Sequence, residues 1–222
     1  MHELVIRNGL VVDGTGSKAR KADIAIDNGV ITKVGAIEAG GVKEIDAIGK
    51  LVTPGFVDIH THYDGQVIWD PEVTPSSWHG VTTIVMGNCG VGFAPVKPDK
   101  HQFLISVMEG VEDIPGAALA EGVSFDWETF PQYLDAVEAI PHTIDIGAQM
   151  PHSALRVYVM GDRGRDHDEN ATESEIEEMR RLTEEALAAG ALGFTTSRTI
   201  NHRDRDGNQI PTLTSAPTEL WG

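Results

Sequence analysis

Basic residues are scarce in this sequence. Its 222 residues include 17 lysines and arginines against 34 aspartates and glutamates, which gives a formal net charge of −17. Nucleic-acid phosphates and anionic membrane surfaces are bound by clustered positive charge. The composition therefore argues against nucleic acid and against a membrane surface as partners, and we attribute the acidic surface to solubility.

Cysteine and long apolar runs are also nearly missing. Cys89 is the single cysteine, so no internal disulfide can form, and a lone thiol is typical of a reducing compartment. The apolar runs fall far short of the roughly 20 residues that cross a bilayer. The N-terminal stretch "MHELVIRNGL" has no basic region followed by a long apolar segment, so it does not look like a signal peptide. We therefore expect a cytoplasmic protein.

The first fifty residues have the pattern of a small β-structure. Short runs of alternating apolar residues flank Asn8-Gly9 and Asn28-Gly29, and such pairs are typical of tight hairpin turns. The stretch "KEIDAIGKLVTPG" predicts one further pair of short strands. A first domain of β-structure is therefore predicted over residues 1–53.

From residue 54 the pattern changes to strands that alternate with helices. Four short segments rich in apolar or β-branched residues predict buried strands: 55–60, 81–87, 143–149 and 191–197. Amphipathic segments predict three helices: 98–111, 126–140 with an N-cap at Asp126, and 172–190 with a capping box of Thr172 and Glu175 and a terminal Gly190. Strands alternating with helices indicate βα units and a parallel sheet. Four units are half of an eight-stranded barrel, which typically needs about 250 residues, so we expect a truncated barrel over 54–222.

Two histidines follow the first predicted barrel strand. In "FVDIHTH", His60 and His62 are two residues apart, so in an extended chain their side chains point to the same side. Active sites of parallel α/β proteins gather at the C-terminal ends of the strands. The pair is therefore a candidate metal site, although two polar residues that end a strand would look the same in sequence.

Cys89 follows the second barrel strand, in "VMGNCGVGFAP". The ends of neighbouring strands meet, so its thiolate can reach the ion that His60 and His62 would bind. A thiolate together with imidazoles suits zinc. The alternative is a buried free cysteine that packs as a small apolar residue. The glycines on both sides make that alternative less favourable, because they let the backbone turn sharply beside a ligand.

These motifs resemble the amidohydrolase superfamily. "GKLVTPGFVDIHTHYD" is similar to its first metal-binding motif, and "HGVTTIVMGNCGVGFAPV", "MPHSALRVYVMG" and "AGALGFTTSR" are similar to its D-aminoacylase branch, the N-acyl-D-amino-acid deacylases. The resemblance implies that residues 1–53 are part of a small β-sandwich. It also implies that the following residues form about the first half of a TIM-like (β/α)8 metal-dependent hydrolase barrel.

The resemblance also implies roles for single residues. Cys89 would be a zinc ligand, and His60 and His62 would line a second, weaker metal position. The family's catalytic aspartate and its other histidine ligands would lie beyond Gly222. Relatives that act on cyclic amides use a carboxylated lysine where this branch has the cysteine. No lysine follows Lys100 in this sequence, which favours the cysteine-type site.

The expected reaction is hydrolysis of a linear amide of a small molecule, most simply the deacylation of an N-acyl-D-amino acid, by water that a zinc ion activates. Three further residues are candidates for this site. Asp64 could orient a ligand histidine, while Arg198 and His152 could contact the substrate. The alternatives are an exposed loop aspartate for Asp64, a loop histidine for His152 and, for Arg198, an ion pair with local acids such as Asp204 or Asp206. Where D-aminoacylases have small residues and a tyrosine, this sequence has Thr195 to Arg198, which leaves the substrate open.

Two other functions remain open at this stage. One is a cyclic-amide hydrolase of the same superfamily. The other is a catalytically incomplete fragment that only self-associates as a homo-oligomer through open strand edges.

Overall fold

The computed structural model describes residues 1–221; Gly222, with which the predicted second domain ends, lies outside the described residues. The chain divides into two compact units, Met1–Gly55 and Phe56–Gly222. Each unit has its own sheets and its own buried apolar cluster.

The first unit is one mixed, five-stranded sheet. Its strands are β1 (His2–Val11), β2 (Arg20–Asp27), β3 (Val30–Gly35), β4 (Gly41–Asp46) and β5 (Leu51–Val52). The order is β3-β2-β1-β4, and β5 also pairs with β1. β2 is antiparallel to its two neighbours, whereas β4 and β5 run parallel to β1. Its buried cluster consists of Val5, Ala25 and Ile37.

One of the two predicted hairpin turns is wrong. Asn28 and Gly29 do connect β2 to β3, both with positive φ (51° and 73°). Asn8 instead lies inside the continuous strand β1, where a bulge shifts the register between Ile6 and Gly9. Asn8 adopts the left-handed conformation there (φ 61°), so the same residue chemistry produces a bulge and not a turn.

The predicted further pair of short strands is present as β4 and β5, but the two strands do not form a hairpin. β4 and β5 both pair with β1 and not with each other. The bulge accounts for this arrangement, because it divides β1 into two halves that each offer a separate edge. β4 pairs with the half before the bulge and β5 with the half after it.

The second unit alternates strands and helices. Its strands are β6 (Phe56–Asp58), β7 (Val81–Met86), β8 (Asp145–Ala148), β9 (Met150–Pro151) and β10 (Phe194–Thr195). Its helices are α1 (His101–Glu112), α2 (Gly116–Gly122), α3 (Phe130–Glu138), α4 (His152–Met160) and α5 (Glu173–Ala189). β6, β7 and β8 form a parallel sheet in that order, and β10 pairs in parallel with β9.

Each of the four predicted strands and three predicted helices overlaps an element of that type. α2 and α4 were not predicted, because both are short and lie in stretches that read as loop. The fourth predicted strand pairs with β9 and not with β8, because the chain after β8 continues into β9.

The helix ends show how capping chemistry sets boundaries. Thr172 and Glu175 form the predicted capping box of α5, and Gly190 ends that helix in the left-handed conformation. α3 begins later than predicted. Thr129 and Gln132 form its capping box, so reciprocal capping sets its start and Asp126 lies outside the helix.

An aromatic cluster fixes the segment that follows β6. Trp127 Nε1 donates a hydrogen bond to the carbonyl oxygen of Phe93 at 2.9 Å, and the Tyr133 hydroxyl donates to the carbonyl oxygen of Asp64 at 2.8 Å. Both donors are buried. The backbone just after the two histidines is therefore held by the core.

No helix within residues 1–221 combines the length and the apolar character needed to cross a membrane.

Gly87, which directly follows β7, has no room for a side chain. Its φ is +78°, and a Cβ there would overlap the carbonyl oxygen of Gln149. We expect Gly87→Ala to lower the free energy of unfolding by about 2–4 kcal/mol. The cost of a left-handed backbone at alanine adds to the cost of the steric overlap of its Cβ. Gly207→Ala is the matched control, since Gly207 has a similar φ (+87°) and open space around it. It should lose only about 1–2 kcal/mol. Urea denaturation checks both values, and equal losses would contradict the predicted overlap.

Candidate metal centre

The structure brings His60, His62 and Cys89 together. His60 and His62 follow β6, and Cys89 follows the neighbouring parallel strand β7. One donor atom from each of the three residues lies within 4.8 Å of the other two. Cys89 Sγ and His60 Nε2 are 3.3 Å apart. The expected convergence at one edge of the sheet is therefore present, and the ligand role of the three residues remains a prediction.

A network of polar contacts holds the two strand ends against each other. The amide and the hydroxyl of Thr61, between the two histidines, both donate to the carbonyl oxygen of Val85 (3.0 and 2.9 Å). Asn88 Nδ2 donates to the carbonyl oxygens of Thr61 (3.2 Å) and Val85 (2.9 Å). Gln149, after β8, donates to Asn88 Oδ1 at 3.0 Å. Thr61, which is next to both histidines, and Asn88, which is next to Cys89, are thus both bound to the carbonyl oxygen of Val85.

The backbone around Cys89 is strained. Gly87, Cys89 and Gly90 have positive φ values of 78°, 55° and 71°, and only glycine adopts this region at little cost. The Gly90 amide donates to Thr195 Oγ1 at 3.2 Å, and Thr195 Oγ1 donates to the carbonyl oxygen of Gly87. The fourth predicted strand therefore supports a turn that points the thiol toward the histidines.

Burial shifts the pKa values of two residues in this cluster, His62 and Cys89. Desolvation, with smaller contributions from the charges of His60 and His202, lowers the pKa of His62 to about 4. His62 is therefore neutral near pH 7, which is the form that binds metals. Desolvation and the charge of Glu112 raise the pKa of the Cys89 thiol. The thiol is thus protonated without a cation, and a cation must displace that proton to bind.

The residues present fit a zinc ion. Imidazole nitrogen and thiolate sulfur are the donors that zinc prefers, at about 2.0–2.3 Å in a tetrahedral arrangement. Two such ligands of one ion lie roughly 3.3–3.6 Å apart, and the contact between His60 Nε2 and Cys89 Sγ has this length. His62 Nδ1 is buried and has no hydrogen-bond partner among residues 1–221, so one ring nitrogen of His62 has no protein group to satisfy it.

Within residues 1–221, the hydrogen bonds of the Asp64 carboxyl come from backbone groups, and none joins it to the histidines that it was predicted to orient. Its side chain is buried, and desolvation raises its pKa to about 7. One carboxyl oxygen, Oδ2, has no hydrogen-bond partner within the described part of the chain. The carboxylate that does lie beside a cluster histidine is Glu112, whose Oε1 is 3.2 Å from His62 Nε2. The orienting role of Asp64 remains a prediction, and no side-chain hydrogen bond within residues 1–221 supports it.

His152 lies in a buried polar network. Its two ring nitrogens are engaged by Thr196 Oγ1 (2.9 Å) and Glu219 Oε1 (2.8 Å), and the residue is 1% exposed. The other oxygen of Glu219 accepts from Arg156, which is itself buried and also donates to the carbonyl oxygen of Gly164. Contact of His152 with a substrate stays a prediction, and its present contacts are structural.

Arg198 is exposed on the loop after β10. Within residues 1–221 it takes part in none of the ion pairs, in contrast to Arg205 on the same loop, which pairs with Glu109 and Asp206. Its guanidinium is therefore available to an anionic ligand, and the predicted substrate contact of Arg198 is untested.

Two residues near the cluster were missed in the sequence. No motif marks His202 in the sequence, yet its charge lowers the pKa of His62. Its Nδ1 lies 3.1 Å from Ser197 Oγ. His202 follows the end of a predicted strand, where active-site residues gather, so its position could have indicated that it lies near the site. Glu112 ends a helix far along the chain, and no local pattern marks it as a neighbour of His62.

Strand ends that gather two imidazoles and a thiol define a candidate metal centre in an α/β protein. A profile of the amidohydrolase family matches residues 43–220. That match covers most of the sequence, and the chain therefore belongs to the amidohydrolase family.

Individual curated proteins show which members of that family the chain is similar to. The chain is 38% identical over 199 residues to an uncharacterised protein of Mycobacterium tuberculosis, covering 87% of this chain and 32% of that protein. It is 36% identical over 195 residues to a D-aminoacylase of Alcaligenes xylosoxydans xylosoxydans (87% and 37%). It is 34% identical over 218 residues to an N-acyl-D-aspartate deacylase of the same organism (98% and 39%). The chain thus spans about a third to two fifths of the length of these relatives.

Solved structures agree with this placement. A D-aminoacylase structure superposes with a TM-score of 0.79 at 32% identity, over 99% of this chain and 42% of that one. An N-acyl-D-glutamate deacylase from Bordetella bronchiseptica, complexed with zinc and a phosphonate inhibitor, gives a TM-score of 0.76 at 31% identity (99% and 41%). The resemblance to the D-aminoacylase branch is therefore confirmed. The chain has the D-aminoacylase type of amidohydrolase fold, with mixed sheets.

The buried network around Glu219 should be essential for stability. Glu219→Ala would leave Arg156 as an uncompensated buried charge and His152 without its partner, at a cost of about 3–5 kcal/mol in the free energy of unfolding. Glu184→Ala, which removes an exposed partner of Arg180 on α5, is the control and should cost less than about 1 kcal/mol. Chemical denaturation measures both, and a similar small effect in the two variants would show that the buried network contributes little.

Proposed function

We propose that the whole protein hydrolyses the linear amide bond of an N-acyl-D-amino acid or a related small molecule, at a zinc centre to which His60, His62 and Cys89 contribute. The observation that carries this proposal is the meeting of three zinc-type donor atoms within 4.8 Å at one edge of a parallel sheet. The names of the relatives, a D-aminoacylase and an N-acyl-D-aspartate deacylase, support the reaction class. Zinc in the structure of a third relative supports the choice of metal.

A bound zinc ion polarises an amide carbonyl and lowers the pKa of a water molecule toward about 7. The protein's own contribution is to hold the ligand atoms in place before the ion arrives. Thr61 and Asn88 fix the strand ends through the carbonyl oxygen of Val85, so little rearrangement is needed on binding. Burial keeps His62 neutral and ready to bind.

We propose that Arg198 binds the carboxylate of the substrate. An N-acyl amino acid carries a free carboxylate, and a guanidinium can bind it with two parallel hydrogen bonds. Arg198 follows β10, whose Thr195 bonds the turn that carries Cys89. It is exposed, so it can meet a ligand that enters from solvent.

We propose that the two units have the architecture predicted from the sequence. Residues 1–53 would be part of a small β-sandwich, and residues 54–222 the first half of a (β/α)8 barrel. A small-molecule substrate and a cytoplasmic location are proposed with them.

Zinc content tests the ligand set. Cys89→Ala and His60→Asn should each lower the zinc bound by the purified protein by at least tenfold, because each removes one donor of the ion. His79→Asn is the matched control, since His79 is exposed and lies outside the cluster, and it should keep its zinc. Elemental analysis after dialysis gives the stoichiometry. An unchanged zinc content in Cys89→Ala would refute the role of the thiolate.

Substrate assays test the reaction. The whole protein should hydrolyse N-acyl-D-amino acids and leave cyclic amides intact. Arg198→Ala should raise KM for these substrates about tenfold or more with a smaller change in kcat, because it removes a contact made before and during the reaction. Arg205→Ala, an exposed arginine already paired with Glu109, should change neither constant. Turnover of cyclic amides alone would favour the alternative activity.

A further inference from the structure

The thiol of Cys89 is carried by a backbone turn of high conformational cost. Gly87, Cys89 and Gly90 all have positive φ values, and Cys89, the one of the three with a side chain, has a φ of 55°. A residue with a side chain is unfavourable in this left-handed conformation, and it persists where surrounding contacts hold it. The contacts around residues 87–90 therefore decide where the thiol points.

The hydroxyl of Thr195 joins the two ends of this turn. Thr195 Oγ1 donates a hydrogen bond to the carbonyl oxygen of Gly87 and accepts one from the Gly90 amide at 3.2 Å. A hydroxyl has one proton and two lone pairs, so a single oxygen can make both bonds at once. Cys89 lies between the two bonded glycines. One side chain from a distant strand thus closes the turn that carries the thiol.

Thr195 can hold the turn because its own strand is held on another side. β10 pairs in parallel with β9, and Thr195 lies opposite Pro151 in that pairing. The hydroxyl oxygen of the next residue, Thr196, lies 2.9 Å from Nδ1 of the buried His152. A Cβ on Gly90 would come within 3.0 Å of the Cα of Thr196. The turn therefore lies directly against a strand end that other contacts keep in place.

We propose that Thr195 is a positioning residue for Cys89: its hydroxyl closes the turn of residues 87–90 and thereby holds the thiol beside His60. Cys89 Sγ lies 3.3 Å from His60 Nε2, and this closeness depends on the conformation of the turn. Thr195 bonds backbone groups of the turn, so it acts through Cys89. Its effect on the thiol needs no ion, whereas its effect on metal binding rests on the proposed zinc centre.

Alkylation of Cys89 in the metal-free protein tests the proposal independently of zinc. Thr195→Val keeps the branched shape of the side chain and removes the hydroxyl. Opening of the turn then no longer breaks two hydrogen bonds, so we expect iodoacetamide to alkylate Cys89 about tenfold faster. Peptide mass spectrometry follows this one cysteine. Thr195→Ser keeps the hydroxyl and should react at nearly the rate of the unmodified protein.

Zinc affinity tests the consequence for the metal centre. Competition with a chromophoric chelator should show roughly tenfold weaker zinc binding by Thr195→Val, because the ion must then order a turn that the hydroxyl no longer holds. Thr195→Ser should bind zinc with nearly the affinity of the unmodified protein.

Thr183→Val is the matched control. The hydroxyl of Thr183 also donates to a backbone carbonyl oxygen, that of Met179 at 2.8 Å, but it lies on α5. This variant should change neither the alkylation rate nor the zinc affinity. Circular dichroism and thermal unfolding identify a purely structural role of Thr195, which would lower the melting temperature and leave both readouts of the folded protein unchanged. That result would overturn the proposal.

The outcomes separate this proposal from the zinc centre. If the unmodified protein binds no zinc, the zinc centre is wrong, and faster alkylation of Thr195→Val still supports the role of Thr195. If Thr195→Val matches the unmodified protein in alkylation and in zinc affinity, only the role of Thr195 is overturned. Should Thr195→Val fail to fold, Thr195→Ala and Thr195→Ser decide, because these two variants differ only in the hydroxyl. Equal alkylation rates in the two would contradict the proposal.

Discussion

Parallel pairing of β6 with β7 is the constraint on which the candidate site depends. Parallel strands end at the same edge of a sheet, so the residues that follow them must meet. In this chain the carbonyl oxygen of Val85 strengthens that meeting, because it accepts hydrogen bonds from both Thr61 and Asn88. The histidine pair and the cysteine are thus brought together by backbone geometry before any ion binds. The left-handed turn at Cys89 adds the local bend that directs its thiol inward.

Burial sets the protonation of two of the three cluster residues. His62 is kept neutral and Cys89 is kept protonated by the loss of water around them. A cation at this position would replace the thiol proton and provide the charge that balances nearby carboxylates. Asp64 and Glu112 both lie close enough for the charge of Glu112 to raise the pKa of the Asp64 carboxyl. In a protein with a net charge of −17, such a site favours cations over anions before the details of ligand geometry are considered.

Much of this site could be predicted from sequence, because it depends on local rules. A His-x-His pair after an apolar strand and a glycine-flanked cysteine after the next one are visible in the sequence, and the parallel order follows from strands alternating with helices. Contacts made by distant residues could not be predicted. Glu112 reaches His62 from the end of a helix, and Glu219 reaches His152 across more than sixty residues. Neither contact has a periodic or spacing signal in the sequence.

The errors in the fold have a similar cause. Asn8-Gly9 has the composition of a turn, and composition alone does not tell a turn from a bulge when both need a left-handed residue. Strand pairing explains why a bulge forms at Asn8-Gly9 and not a turn. By continuing through the bulge, β1 pairs with other strands on both of its edges. Asp126 is a residue type that caps helices well through one hydrogen bond. Thr129 and Gln132 form a capping box with two reciprocal hydrogen bonds, and α3 therefore begins there.

X-ray absorption at the zinc edge of the metal-loaded chain tests the central claim most directly, because it reports the atoms around the ion without any substitution. Convergence of two imidazoles and one thiolate on a shared ion predicts one sulfur neighbour at about 2.3 Å, together with nitrogen or oxygen neighbours at about 2.0–2.1 Å that show the outer-shell scattering of imidazole rings. A zinc shell of oxygen and nitrogen alone, with no sulfur, would contradict the account.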